Sequence, residues 1–550
     1  MPSVSETVAI TLAQHVDHVF GVMGNGNAYF LDALERRTSA RYWPVRHEAG
    51  AVVAADAHSR ASGRIAAATT TYGAGFTNTL TALAEAVQAH VPLVLVVGDE
   101  PTSGPRAWDV DQIALASAVG ARTYTVGRTD AAATTVIALE HAIAYQLPTV
   151  LAIPYDVART DGGERAAQVA LRAPIRMPLE DPFARAAIAR TARDLAAASR
   201  PLLLAGRGAW LAGAGEALRR LADACGAVTG TTALARGLFP ATGTDLGVVG
   251  GWGAEGAMGL VREADEVVVL GASLNQFTTR FGDLFSPGTA VTQVDVGPAA
   301  THPHVGRFIR GDAATVAEAL TAELAALGAQ PSGWRESIDR EALLRRDPGS
   351  GLAPDGRLDP RSAAVRIGAL LPEDRVVVSD GGHFIGWANM YWPIASPDRM
   401  IMVGTAYQAI GLGFPSVVGA VTARPTSTAV LTTGDGGGLM ALADLESAVR
   451  VAGGRGLAVV WNDGQYGAET NVYGALGLSR APMLIPEVDF AALARAVGAE
   501  AVVVRTLDDL DRLRSWTASP VADRPFLLLD LRVSPTVVAP YQLEILHRTR

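Results

Sequence analysis

Short apolar, β-branched runs alternate with helix-period segments along the whole chain. A helical pattern over 5–16 (SETVAITLAQHV) leads into HVFGVMG, a helix AYFLDALERR and a strand YWPVRH, and RIAAATTT, PLVLVVG and PTVLAIP follow as strands. A polar, Ala/Arg-rich stretch over 161–182 reads as a linker. The alternation resumes with RPLLLAG, a helix running to Cys225, AVTGTTA, ADEVVVLGA and AVTQVDV. A second stretch over 332–360, rich in charge, Gly and Pro, reads as another linker and precedes DRVVVSD, STAVLTTG, GLAVVWN and PFLLLDLRV. Strands that alternate with helices imply βαβ units and parallel sheets. The predicted fold is α/β, with three doubly wound parallel-sheet domains over 1–165, 183–345 and 358–550. No short-period repeat is present, so no solenoid is expected. The final YQLEILHRTR reads as a closing tail without an assigned place.

The segment from Thr428 to Gly467 carries the most chemistry. An apolar strand ends at Gly434, and a helical pattern follows with Leu439, Leu442, Leu445, Ala448 and Val449 on one face. A second strand, Leu457 to Trp461, ends at Asn462. The right-handed crossover makes the two strands parallel, so Asp435 and Asn462 leave the same carboxyl edge, where open α/β sheets bind ligands. A carboxylate, an amide oxygen and a backbone carbonyl in the turn after Asn462 suit a hard cation such as Mg²⁺. Gly434, Gly436 and Gly437 let backbone N–H groups approach a phosphate at the helix start. An ordinary strand-to-helix turn with an aspartate N-cap would look the same at Gly-Asp-Gly alone. The Asp-to-Asn separation and the second polar turn favour metal plus diphosphate.

Composition narrows the setting. Hydrophobic residues make up 49% of 550, enough for several cores, and the net charge is −9. That balance argues against a nucleic-acid or anionic-membrane partner. A single cysteine, Cys225, excludes an intrachain disulfide and fits a reducing compartment. The amino end lacks the pattern of a signal peptide, and no apolar run reaches transmembrane length uninterrupted. A soluble cytoplasmic enzyme is expected, with neither membrane nor nucleic acid as partner.

The Gly434–Asn462 segment resembles the thiamin diphosphate (ThDP) motif of the acetolactate synthase and pyruvate decarboxylase superfamily, which reads Gly-Asp-Gly, some two dozen residues, then Asn-Asn. Here Trp461-Asn462-Asp463 replaces the commoner Asn-Asn, with Asn462 at the ligand position. The resemblance implies Mg²⁺ ligands Asp435, Asn462 and the carbonyl of Gly464, with Gln465 and Tyr466 in the same cofactor turn. It extends over the whole chain, as a pyrimidine-binding (Pyr) domain, a transhydrogenase-like middle domain and a diphosphate-binding (PP) domain. RHEAGAVVAADAHSRASGR, at a strand-to-helix junction, is similar to the family element whose glutamate meets the aminopyrimidine ring and promotes loss of the thiazolium C2 proton. That role falls on Glu48, which by spacing alone also fits a first-turn glutamate favoured by the helix dipole.

Further positions follow the same resemblance. Tyr72-Gly73-Ala74-Gly75-Phe76-Thr77-Asn78 is similar to the family's Ser-Gly-Pro-Gly-Ala-Thr-Asn turn, with Tyr72 and Ala74 altering the active-site wall; Tyr72 and Asn78 are its cofactor-side candidates. In Ser379-Asp380-Gly381-Gly382-His383, Gly382 and His383 match donors to the diphosphate. In Gln408-Ala409-Ile410-Gly411, the Gln408 carbonyl would accept from the exocyclic amine, and Ile410 would prop the cofactor's bent shape, a proximity effect. Glu469 stands three residues after Tyr466, where simple 2-oxo acid decarboxylases of the family place a catalytic glutamate. It also fits an exposed helix glutamate. Gln112 and His90 are lower-ranked catalytic candidates on the Pyr side. Some relatives hold FAD or ADP in the middle domain. Ala205-Gly206-Arg207-Gly208 follows a strand there, but the Gly-x-Gly-x-x-Gly pattern fails at Leu211 and supports neither.

The resemblance implies a ThDP- and Mg²⁺-dependent enzyme that decarboxylates a 2-oxo acid and transfers the acyl-anion equivalent to a carbonyl acceptor, as acetolactate synthases do. A non-oxidative decarboxylase releasing an aldehyde is the alternative, and a non-catalytic ThDP- or nucleotide-binding protein the remote one. In the family the Pyr and PP halves meet across a subunit interface, so a homodimer or homotetramer is expected.

Overall fold

The computed structural model describes residues 2–163, 170–172, 181–240 and 244–549. Three six-stranded sheets, with every strand pair parallel, are covered by helices. The first holds β1 (His18–Gly21), β2 (Arg41–Pro44), β3 (Ala66–Thr70), β4 (Leu93–Asp99), β5 (Arg122–Thr125) and β6 (Thr149–Pro154), in the order 2-1-3-4-6-5. The middle sheet holds β7 (Pro201–Ala205), β8 (Val228–Thr231), β9 (Asp245–Val248), β10 (Glu266–Leu270), β11 (Ala290–Asp295) and β12 (Arg307–Arg310), in the order 12-11-10-7-8-9. The third holds β13 (Arg375–Ser379), β14 (Met400–Ile401), β15 (Thr428–Gly434), β16 (Gly456–Asn462), β17 (Glu500–Val504) and β18 (Leu527–Arg532), in the order 14-13-15-16-18-17. Strand for strand, the third sheet repeats the order of the first.

The central strands β3, β4, β15, β16 and β18 are buried along their whole length, in keeping with their mainly apolar sequences. Five strands were not among the runs read as strands in the sequence: β5, β9, β12, β14 and β17. All five are edge strands. The helix expected as one piece between β15 and β16 is broken into Asp435–Met440, a 3₁₀ turn Leu442–Asp444, and Leu445–Ala452. Buried Asp444 stands at the break, where its carboxylate accepts from the Arg46 N–H (2.8 Å) and the Ser447 hydroxyl (2.8 Å). The expected second linker is partly built into the middle domain: Trp334 is buried in that core, and Arg340 donates to the Asp245 carbonyl (2.6 Å). The expected first linker lies mostly outside the described residues. Cys225 is a core residue, and burial pushes its thiol up to about 11.

One seam joins the first and third domains. The helix Glu48–Ser62 lies along the helix Gly413–Ala423, and their side chains share one apolar core with both sheets. Gly419 permits the close approach, since a Cβ there would overlap the Ala54 carbonyl and stand 2.8 Å from the His58 nitrogen. Buried Arg60 pairs with Asp56 (2.5 Å) and Glu85 (3.0 Å) and donates to the Met402 carbonyl (2.8 Å) across the seam. His58 shares a hydrogen bond with the Thr422 hydroxyl (3.1 Å), and burial, helped by the neighbouring His18, lowers its pKa to about 3.

Gly419→Ala therefore overpacks the seam, with an expected cost of about 1–3 kcal/mol. Calorimetry should show a fall of roughly 2–4 °C in Tm per kcal/mol for domains of this size. His58 sets a pH dependence as well. Its folded pKa lies below the ordinary 6.5, so the stability it contributes is complete above pH 6.5 and is lost as the pH falls toward 3. In His58→Gln the fall of Tm with acidification should be shallower than in the wild type, and parallel profiles would contradict this.

Candidate active site

The third sheet builds half of the site. In the parallel register of β15 and β16, Gly434 faces Trp461, so Asp435 and Asn462 emerge side by side at the carboxyl edge. Asp435 is buried, with one oxygen accepting from the Gly436 N–H (2.9 Å) and the other from the Gly464 N–H (2.8 Å). Asn462 donates to Asp530 (2.9 Å) and to the Val488 carbonyl (3.0 Å). Both donors of its amide are thus fixed, leaving Oδ1 as the free acceptor. The Gly464 carbonyl accepts from the Ile485 N–H (2.9 Å), which leaves a second lone pair. Asp463 binds His383 (2.9 Å) and Gln465 (3.1 Å) through Oδ2, while its Oδ1 is buried without a partner.

These acids are short of positive charge. Burial, reinforced by the charge of Asp463, pushes Asp435 up to about 6. Burial works against the charged form of His383, but Asp463, Asp435 and Glu469 outweigh it and raise its pKa. A carboxylate, an aimed amide oxygen, a backbone carbonyl and an orphaned carboxylate oxygen form an oxygen-rich donor set for a hard divalent cation. Among the described residues no cluster of three His, Cys, Asp or Glu could hold a metal. The fit therefore depends on the amide and carbonyl oxygens.

The glycines beside it leave room by necessity. A Cβ on Gly436 would stand 2.8 Å from the Tyr466 ring, and one on Gly437 would stand 2.7 Å from Asp380 Oδ2. Asp380 itself is fully buried and accepts from the N–H groups of Gly381 (2.8 Å), Gly411 (3.0 Å) and Leu412 (3.1 Å) and from the Thr433 hydroxyl (2.9 Å). One carboxylate thereby ties the Gly382–His383 turn, the Ile410 loop and the end of β15 together. Ile410 rests over Gly381, and exposed Gln408 adopts a left-handed φ of 59°. The His383 ring seats on Gly467, where any side chain would overlap it, so His383 and the short helix Gly467–Glu469 share one corner. Glu469 is exposed at the end of that helix, ahead of a π-helical turn Thr470–Gly474.

The first sheet supplies the other half. Glu48 opens its helix behind the N-cap His47, and its Oε2 accepts from the Asn78 amide (2.9 Å). The Tyr72–Asn78 turn closes over it, with Gly75 against Glu48. Tyr72 is held from three sides: Asn25 bonds its hydroxyl (3.0 Å), the Arg106 guanidinium lies 4.1 Å above its ring, and Tyr155 meets it edge-on at 6.0 Å. Gln112 accepts from the Gly73 N–H (2.8 Å) and donates to the Gly98 carbonyl (2.9 Å) and to Asp99 (3.0 Å). It is a buried strut for the turn rather than a group facing a substrate. His90 is not brought to the site. It stands exposed ahead of β4, at the amino edge of the sheet, and its carbonyl accepts from Arg207 of the middle domain (3.5 Å). The helix Leu80–Gln88 runs back across the sheet, so its end falls on the edge opposite Glu48.

In the middle domain, Gly206 and Gly208 serve packing. The Gly208 N–H binds the Gly271 carbonyl (2.8 Å), and a Cβ on Gly206 would overlap that same oxygen. Three supports were absent from the sequence reading of the site: Asp380, Asp463 and Asp530. Asp530 carried a visible signal, a charge inside the wholly buried run LLLDLR.

Comparison with known proteins agrees with the three-domain fold. Residues 2–117 match the thiamine pyrophosphate enzyme N-terminal TPP binding domain, 188–320 the thiamine pyrophosphate enzyme central domain, and 380–527 the thiamine pyrophosphate enzyme C-terminal TPP binding domain. A sulfoacetaldehyde acetyltransferase of Castellaniella defragrans is 27% identical over 98% of this chain and 94% of its own. An acetolactate synthase of Mycobacterium avium is 28% identical over 95% and 87%. In fold, the chain is similar to the Rhodococcus jostii RHA1 thiamine diphosphate-dependent 4-hydroxybenzoylformate decarboxylase, with a TM-score of 0.77 at 20% identity, covering 97% of this chain and 99% of that one. With all three domain models matched in order, the chain belongs to the ThDP-dependent enzymes of the acetolactate synthase and pyruvate decarboxylase superfamily.

Proposed function

We propose that this enzyme uses ThDP and Mg²⁺ to decarboxylate a 2-oxo acid and to pass the acyl-anion equivalent to a carbonyl acceptor. The observation that carries this reading is the pair of half-sites: Glu48 held by Asn78 on one sheet edge, and the Asp435–Asn462–Asp463 donor set on another. When bound, ThDP supplies the carbanion-stabilising chemistry. Asp435, Asn462 and the Gly464 carbonyl would hold the metal. Gly382, His383, Gly434, Gly436, Gly437, Gln465 and Tyr466 would line the diphosphate. The Gln408 carbonyl, Ile410, Tyr72 and Asn78 would border the ring portion, and Glu48 would hold a proton toward it. Glu469 would serve as a proton donor. FAD has no support from the packed Gly206–Gly208 turn.

Relatives named as an acetyltransferase and an acetolactate synthase support transfer to an acceptor. A second reading, release of an aldehyde, rests on Glu469, which stands exposed beside His383 and free to reach a small molecule. Incubation with pyruvate, with and without an aldehyde acceptor, separates the two by product. Assembly as a homodimer or homotetramer is supported by exposed apolar side chains at both site edges, Met23, Trp108 and Ile113 on the first domain and Tyr407, Met440 and Leu476 on the third. A cytoplasmic location is supported by the single, buried cysteine. Among the described residues no helix is long and apolar enough to cross a membrane.

Asp435→Ala should abolish tight ThDP binding, and chelation of the wild type should do so reversibly, since the cation links protein to diphosphate. Unchanged affinity of the variant by calorimetry would refute the metal reading. Glu48→Gln should still bind ThDP, while proton–deuterium exchange at C2 of bound ThDP slows by roughly 10²–10⁴-fold, the usual weight of a general acid–base group. Wild-type exchange in that variant would leave Glu48 as a helix-start residue only.

A further inference from the structure

The carboxyl-terminal helix Pro540–Thr549 is not used by the function above, yet it touches the site twice. Tyr541 is buried, and its hydroxyl donates to the carbonyl of His383, in the diphosphate turn. Its ring lies against Gly386, where any side chain would overlap it, and meets Trp252 and Phe277 edge-on at 6.2 Å and 5.8 Å. The next residue, Gln542, accepts from the Asn471 amide (2.9 Å). Asn471 belongs to the π-helical turn that follows Glu469. Consecutive residues of one helix therefore hold the two segments that carry His383 and Glu469.

The helix is anchored on the middle domain. Glu544 pairs with Arg280, which also pairs with Glu255 (2.9 Å), and Arg548 pairs with Asp283. Arg280 and Phe281 adopt left-handed φ values of 50° and 57°, a conformation that non-glycine residues adopt only where surrounding contacts hold them. These pairs border a cavity of about 350 Å³ between the helix and the middle domain.

We propose that Tyr541 and Gln542 are positioning residues of the active site, Tyr541 setting the diphosphate turn through the His383 carbonyl and Gln542 setting the Glu469 segment through Asn471. The inference rests on the reading of His383 and Glu469 given above. It differs from a general packing role in that the two residues act on different segments.

The test uses the full chain and three variants, Tyr541→Phe, Gln542→Leu and Gln542→Glu. Backbone hydrogen exchange over 380–388 and 467–476 is followed in cofactor-free protein, and ThDP affinity is measured by calorimetry with Mg²⁺ present. Tyr541→Phe should speed exchange over 380–388 by about fivefold, the weight of one net hydrogen bond, and weaken ThDP by a similar factor, leaving 467–476 unchanged. Gln542→Leu should speed only 467–476 and leave ThDP affinity intact. Gln542→Glu keeps an acceptor oxygen for Asn471 and should restore wild-type exchange. Wild-type exchange in both Tyr541→Phe and Gln542→Leu overturns the proposal, as does uniform acceleration that includes the first domain. Wild-type protein that fails to bind ThDP would count against the functional reading, whereas the exchange pattern still decides the positioning role.

Discussion

The structure depends most on the close contact between the helix Glu48–Ser62 and the helix Gly413–Ala423. Gly419 brings the two backbones within reach, and Gly50 leaves space for the Asp444 carboxylate beside the start of the first helix. A buried ion network locks the register: Arg60 spans Asp56, Glu85 and the Met402 carbonyl, and Glu85 accepts from the Tyr407 N–H (2.7 Å). Such a network contributes less to net stability than to uniqueness, because desolvating each charge offsets much of the attraction. Its consequence here is positional. The loop entering Gln408 and Ile410 is tied to the first domain at Tyr407, and the Glu48 helix start is tied to the third domain at Asp444.

Buried carboxylates recur around the site, and each is compensated differently. Asp380 is offset by three backbone N–H groups and a hydroxyl. Asp530 is offset by Asn462, Arg532 and the Phe490 N–H. Asp435 and Asp463 have less, and they share one corner with His383 as the nearest counter-charge. The first two acids hold geometry, while the last two, less fully compensated, are the ones assigned to the proposed cation site.

Much of this was legible in the chain because the relevant forces are local. Central strands are buried on both faces, so they must be continuous apolar runs, and three alternating blocks imply three parallel sheets. Of the six edge strands only β2 was read from the sequence. β5 and β12 are mostly half-exposed and carry little apolar signature, whereas β14 and β17 lie in apolar runs of only about four residues, too short to announce a strand by themselves. The helical stripe between β15 and β16 was real, but its break at Asp444 answers a contact with Arg46, nearly four hundred positions away. Gln112 and His90 show the same limit. Both were candidates on the Pyr side, whereas three internal hydrogen bonds engage one and the direction of a helix carries the other to the far edge of its sheet.

By itself the sequence determined the fold class, the carboxyl-edge placement of Asp435 and Asn462, and the junction carrying Glu48, because strand direction and short-range turns dictate these. Tertiary structure alone decided how fully each buried acid is compensated, since that depends on groups distant in sequence. It alone joined Asp380 to the Ile410 loop and gave the closing tail a place against His383 and Asn471. Those contacts connect segments separated by tens to hundreds of residues, and only packing brings such groups within hydrogen-bonding distance.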